Sequence, residues 1–290
     1  PRDDPQARLE VVRFYIAAER YSQARRHLQQ IIDQFPDLEG LDAEARQLRQ
    51  MGARRILTEI QMRRDAGQYE LARYLLLNFP TEQVAGETLA EVREMIGEFE
   101  RIDARIADIR GRLNAAVEQI SDVDDRGLAS PLVAEIVAEL SQSNLDRLAP
   151  FVQLADDASL TGEQKVALAV TGWLLGADGT EDQLDAAIAT ARLRAAVLAY
   201  LRESLPHGRA ELLREVRTLA AGNVGNLAKL IAHMKPPRHE AKYVESPTGA
   251  WTHTAPGVTE DGDFAYHVQL PPEYDPYRQY PTLVVLNGAY

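Results

Sequence analysis

Residues 87–120 read ETLAEVREMIGEFERIDARIADIRGRLNAAVEQI. Apolar side chains fall at Leu89, Val92, Ile96, Phe99, Ile102, Ile106, Ile109, Leu113, Val117 and Ile120, and every step is three or four residues. That spacing places them on one face of a single helix. At 1.5 Å per residue the helix is about 50 Å long. A seam of this length has the pattern of a coiled coil. The simpler reading is a long helix lying along the helices that precede it, and it sets the fold class as mainly α.

Toward the N-terminus two segments echo each other. Ala18-Glu19-Arg20-Tyr21-Ser22-Gln23-Ala24 is followed by Phe35-Pro36, and Ala66-Gly67-Gln68-Tyr69-Glu70-Leu71-Ala72 is followed by Phe79-Pro80. Each is a small residue, a turn, an aromatic and a second small residue, which lets two helices pack closely. The pattern resembles the helical hairpin of tetratricopeptide-type repeats. Tyr21 and Tyr69 are 48 positions apart, longer than the usual repeat of about 34. The resemblance is therefore to the hairpin and not to a regular array. Tyr21 and Tyr69 are expected at equivalent, substantially buried positions beside Ala24 and Ala72.

Toward the C-terminus, residues 122–127 break the long helix. Ser130-Pro131 reads as an N-cap followed by proline at the first helical position. Thr161-Gly162-Glu163-Gln164 and Thr180-Glu181-Asp182-Gln183 both carry the capping-box signature. They open helices with Val166, Val170 and Trp173 in the first and Leu184, Ile188 and Val197 in the second. His207-Gly208 and Ala221-Gly222-Asn223 read as later helix ends. Lys235-Pro236-Pro237 marks a boundary, after which Gly, Pro, Thr and aromatic residues replace helical periodicity. The expected division is residues 1–126 as a helical-hairpin region with a long amphipathic helix, 127–237 as a second helical module, and 238–290 as a β segment.

In that segment Phe264 to Leu270 alternates as a strand does, and Pro271, Pro272 and Pro276 end it. Trp251 lies in another strand-like stretch. Thr282 to Leu286, TLVVL, is the unbroken apolar run expected of a strand covered on both faces. The string Leu270-Pro271-Pro272-Glu273-Tyr274-Asp275-Pro276, then Tyr280-Pro281-Thr282-Leu283-Val284-Val285-Leu286-Asn287-Gly288, resembles the start of an α/β-hydrolase domain of the esterase, prolyl-oligopeptidase-like or dienelactone-hydrolase-like kind. The resemblance covers the last thirty or so residues. It implies that the β segment opens a hydrolase sheet truncated here, and that the 290 residues are an internal piece of a longer protein. It also implies that the turn Asn287-Gly288-Ala289-Tyr290 supplies a backbone N–H to the oxyanion hole. Asn287 stands where the family usually has His, and Tyr290 where Gly is frequent.

The nucleophile elbow G-x-S-x-G does not occur in these residues. The resemblance thus implies a serine hydrolase, an esterase or peptidase acting on an ester or peptide substrate, whose triad lies downstream. No catalytic residue is assigned within the 290, which are expected to be inactive by themselves. Their helical region would position substrate or partner. The alternative is a helical-repeat scaffold that binds a protein or peptide partner and has no catalytic activity.

The net charge of −12 argues against a nucleic-acid surface, which needs clustered Lys and Arg. No run is long and apolar enough to span a bilayer. The absence of Cys removes thiolate metal sites and Cys nucleophiles and leaves the compartment open. His239-Glu240 lacks the second His that a zinc-protease helix needs at position 243, which is Tyr243. The six His residues show no metal-binding spacing, and no metal or cofactor is assigned. Asp124-Asp125 and Asp156-Asp157 read as capping and solvated carboxylates. Gly222-Asn223-Val224-Gly225 follows a helix and not a strand, so it is no phosphate cradle.

Overall fold

The computed structural model describes residues 4–36, 40–219, 224–235, 237, 250–255, 262 and 264–286. The chain is mainly helical, with a two-stranded antiparallel sheet toward its C-terminus. It divides into two compact units, Pro1–Arg101 and Ile102–Tyr290.

The first unit contains α1 (Pro5–Ala17), α2 (Tyr21–Gln34), α3 (Leu41–Asp65), α4 (Tyr69–Leu77) and the first part of α5 (Gly86–Glu118). The turns α1–α2 and α3–α4 are the same motif. Arg20 N–H donates to Tyr15 O at 2.8 Å and Glu19 N–H to Ile16 O at 2.9 Å. Forty-eight positions on, Gln68 N–H donates to Arg63 O and Gly67 N–H to Arg64 O, both at 2.8 Å. These paired bonds make a Schellman ending, which needs a left-handed residue. Glu19 (φ 55°) and Gly67 (φ 70°) supply it. Glycine does so without steric cost, whereas glutamate is uncommon there.

The same register governs packing. Leu9 and Leu57, Val12 and Ile60, Ala24 and Ala72, Leu28 and Leu76, and Ile31 and Phe79 are all buried. Each hairpin is closed by the beginning of the next long helix. Leu41, Ala45 and Leu48 of α3 join the first core. Val92, Met95 and Phe99 of α5 join the second, together with Ala53, Leu57 and Ile60 from the later half of α3. One long helix thus serves two cores, which accounts for a period of 48 residues. Tyr21 and Tyr69 begin α2 and α4 and are half-buried. A Cβ added at Gly52 would lie 3.6 Å from Tyr21 Cβ, so the start of α2 sits close on α3. Ala24 and Ala72 have no exposed surface. Ala24→Leu or Ala72→Leu is therefore expected to overpack its hairpin and cost roughly 1–3 kcal/mol in a denaturant titration. A neutral result at both positions would refute the close approach.

The second unit holds the remainder of α5, α6 (Val123–Glu139), a 3-10 turn (Leu145–Leu148) running into α7 (Ala149–Leu154), and α8 (Gly162–Leu175). A second 3-10 turn (Ala177–Gly179), α9 (Leu184–Arg202), α10 (Pro206–Leu219) and α11 (Val224–Ala232) follow. Lys165 through Leu175 are all buried, as expected of a helix apolar on every side. α8 is the central element, packed against α6, α7, α9 and α11.

Thr161 and Gln164 form the expected capping box on α8. Three local expectations are corrected. α6 begins at Val123, eight residues before Pro131, because the Asp122 carboxylate accepts from the N–H groups of Asp124 and Asp125 at 2.9 Å each. Ser130 and Pro131 lie inside that helix, and the Ser130 hydroxyl donates to Arg126 O at 2.8 Å. α9 begins at Leu184, with no side-chain cap from Gln183, so Thr180 does not start a capping box. The Thr171 hydroxyl instead takes the Glu181 N–H at 2.9 Å and holds this stretch against α8. His207 and Gly208 lie in the first turn of α10. Ala221, Gly222 and Asn223 are outside the described residues.

The sheet pairs β1 (Ala250–Ala255) with β2 (Phe264–Gln269), Ala250 opposite Gln269 and Ala255 opposite Phe264. The expected strand at Thr282–Leu286 pairs with neither. Its apolar side chains from Leu283 to Leu286 are 72–89% exposed. Beyond β2, a turn at residues 274–280 holds the chain to the helices through Asp275 and Tyr277.

Candidate functional site

In the second unit, polar and aromatic side chains converge where the segment after β2 meets the ends of α6, α8 and α11. Glu139 is the last residue of α6. The loop beyond it is clasped by buried Asn144, whose Nδ2 donates to Glu139 O at 2.9 Å and whose Oδ1 accepts from Ser141 N–H at 2.8 Å. That clasp fixes the loop bearing Ser143. Arg147 follows on the 3-10 turn. Its guanidinium lies 5.3 Å from the centre of the Trp173 ring and donates to His233 O at 3.1 Å. Glycine at 172 allows this arrangement: a Cβ there would sit 2.5 Å from Arg147 O.

Tyr277 lies on that surface. Its hydroxyl donates to Glu139 Oε2 at 3.0 Å. Its ring centre is 4.2 Å from the Arg147 guanidinium, 5.5 Å from Lys235 Nζ, and 6.3 Å from the Trp173 ring in an edge arrangement. Lys235 pairs with Glu139 Oε1 at 2.5 Å. The Ser143 hydroxyl donates to Asp275 Oδ2 at 2.5 Å. Beside these contacts lies a cavity of about 330 Å³, also lined by Ser141, Tyr274 and Pro276.

Burial pushes the Tyr277 phenol well above its ordinary value, and the Glu139 carboxylate adds to the shift. The hydroxyl is held neutral and donates. Burial lowers the Arg147 guanidinium, while Tyr277, Asp275 and Glu139 act in the opposite direction. Arg147 is thus a partly desolvated cation facing aromatic rings, a setting that strengthens cation–π attraction. Every group in the cluster that carries a charge has a partner of opposite sign, an aromatic face or a hydrogen bond. The arrangement is one of recognition between chain segments.

The proposed oxyanion residues Asn287, Gly288, Ala289 and Tyr290 lie outside the described residues, as do His239 and Glu240. His253 stacks on Tyr266 across the hairpin, with ring centres 5.4 Å apart. His267 Nδ1 and the Thr252 hydroxyl are 2.9 Å apart. Asp124 and Asp125 lie in the first turn of α6. Burial raises the Asp125 carboxyl, and neighbouring Asp122, Asp185 and Glu163 reinforce it. Asp156 accepts from Arg112 at 2.6 Å, and Asp157 accepts from the backbone and hydroxyl of Ser159. Trp173 is buried in the core and Trp251 half-buried on β1. Among the described residues, no three His, Asp or Glu side chains are grouped as a metal ion requires, and no helix is long and apolar enough to cross a membrane.

Sequence reading passed over Glu139, Arg147, Lys235 and Tyr277. Tyr277 falls in the spacer of the string that opens the hydrolase-like segment, and its partners are far away in the chain. Only the run Tyr274-Asp275-Pro276-Tyr277 carried a signal, as a turn rich in aromatic groups. No known protein family, curated protein or solved structure matches this chain.

Proposed function

We propose that this chain holds the helical region and the opening strands of an α/β-hydrolase-type serine hydrolase, an esterase or peptidase. The helical region positions substrate or partner, and the catalytic triad comes from residues that follow Tyr290 in the full-length protein. The observation that carries this reading is the apolar run Thr282–Leu286. It sits behind the Leu270-to-Pro276 string at the spacing of the family it resembles, and Leu283–Leu286 are at least 72% exposed. Four consecutive large apolar side chains suit a strand with a layer on each face. Left bare they form the kind of apolar patch that soluble proteins cover. The test is the coding sequence beyond Tyr290 together with fluorophosphonate labelling of the full-length protein. A labelled serine within a G-x-S-x-G supports the reading; no such motif and no labelling overturns it.

The 48-residue register favours a second reading, a helical-repeat scaffold without catalytic activity. Phe14 and Met62 occupy the same place in the two hairpins and are 67% and 60% exposed. An apolar side chain exposed at the same repeat position is a feature of a binding face. If the labelling experiment fails, this reading takes precedence.

A further inference from the structure

The two sides of the Tyr277 contact are each shaped without the other. On the helical side, Arg147 is fixed by the His233 carbonyl and the Trp173 ring, and the Ser143 loop by Asn144. Lys235 is paired to Glu139. On the other side, residues 274–280 fold on themselves. Tyr277 N–H donates to Asp275 Oδ1 at 2.9 Å, Arg278 N–H to Asp275 O at 3.0 Å, and Asp275 N–H to the Tyr280 hydroxyl oxygen at 2.9 Å. The Tyr274 and Tyr280 rings lie 5.3 Å apart. Pro276 restricts the alternatives open to the free turn. Two preorganised surfaces joined by side-chain contacts have the character of a binding pair, since little ordering remains to oppose their union.

We propose that Glu139, Ser143, Arg147, Trp173 and Lys235 form a docking site for an acid–proline–tyrosine turn, filled here by the chain's own Asp275-Pro276-Tyr277. The chemistry is selective. Glu139 reads the phenol hydroxyl, which phenylalanine lacks. Arg147 and Lys235 read the electron-rich ring face. Ser143 reads the carboxylate of the acid two residues before the tyrosine. This site governs whether the segment from β2 to Leu286 is held on the helical body or released from it. The inference does not depend on the hydrolase reading, because it concerns only residues that are present and in contact.

The test uses the full 290-residue chain and its Tyr277→Ala variant. Hydrogen exchange across residues 264–286 is expected to rise at least roughly tenfold in the variant while α8 keeps its protection, a tenfold change being about 1.4 kcal/mol. The vacated site should then bind a synthetic peptide of residues 272–281 with a Kd of roughly 0.1 mM or tighter, as a tenfold protection by a tether at about millimolar effective concentration requires. The wild-type site already holds a tethered copy at an effective concentration of about millimolar, so it should bind the peptide more weakly than the variant. The same peptide with Phe in place of Tyr277 should bind the variant roughly tenfold more weakly, for want of a hydrogen bond to a carboxylate. Unchanged exchange in Tyr277→Ala would overturn the proposal. So would raised exchange without peptide binding, which would make Tyr277 a structural contact and nothing more. Should Tyr277→Ala lose α8 protection, Tyr277→Phe keeps the ring. It is then expected to raise exchange across 264–286 with α8 unaffected, and no rise there would count against the docking site.

Discussion

Trp173→Ala is expected to cost about 3–5 kcal/mol, the range for removing a large aromatic from a core. Trp173 lies on α8, which is buried on all sides, and is itself only 3% exposed. Its loss leaves a cavity at the centre of the second unit. It also removes the ring on which the Arg147 guanidinium rests 5.3 Å from the centre. A partly desolvated cation deprived of one aromatic face loses part of the attraction that offsets its burial. The expected outcome is thus twofold: a lower denaturation midpoint by circular dichroism, and faster protease cleavage between residues 270 and 286. Trp173→Phe, which keeps an aromatic ring, should recover much of the resistance to cleavage. Full resistance in Trp173→Ala would show that Arg147 holds Tyr277 without its help.

Gly172→Ala is expected to cost about 2–3 kcal/mol, toward the upper part of the range for overpacking. On propensity alone alanine would be favoured in a helix by about 1 kcal/mol. The position reverses that preference, because the added Cβ would meet Arg147 O at 2.5 Å and Thr180 Cγ2 at 3.0 Å. The nearest atom is backbone and cannot rotate away, so the Leu145–Leu148 turn must shift and carry Arg147 with it. Gly111 is the control. It lies within α5 with nothing inside 4 Å of an added Cβ, so Gly111→Ala should stabilise by roughly 0.5–1 kcal/mol. Equal effects at the two positions in thermal denaturation would rule out the close approach of α8 to the turn.

Both substitutions act on the way α8 supports the surface that receives Tyr277. The central helix is core on every face, yet Trp173 contributes its ring and Gly172 its lack of a side chain to the placing of Arg147. Core packing and the docking of residues 274–280 are therefore coupled through one helix. Removing Tyr277 alone should disturb the second and spare the first.

Much of the helical architecture was legible because its signals are local. Steps of three and four from Leu89 to Ile120 require a helix wherever the chain goes, and α5 runs from Gly86 to Glu118. The two A-x-x-Y-x-x-A segments mark hairpins because a left-handed turn and a small packing residue are needed at fixed offsets. Thr161 and Gln164 cap α8 because both partners lie within one turn. Ser130-Pro131 misled for the same local reason: it is a good helix start, but Asp122, eight residues before Ser130, captures two amide groups, and the helix runs through the proline.

What the sequence by itself determined is thus the helical class, the hairpins and the apolar strand-like run at Thr282–Leu286, each written in residues a few positions apart. Only tertiary structure decided that α3 serves two cores, that β2 pairs with β1 and leaves that run bare, and that Tyr277 meets Glu139, Arg147 and Lys235. These residues are brought together across 138 positions from Glu139 to Tyr277. No periodicity encodes contact at such a distance. It follows from how α6, α8 and α11 bury their apolar faces, and the polar groups at their ends are carried to one place by that packing.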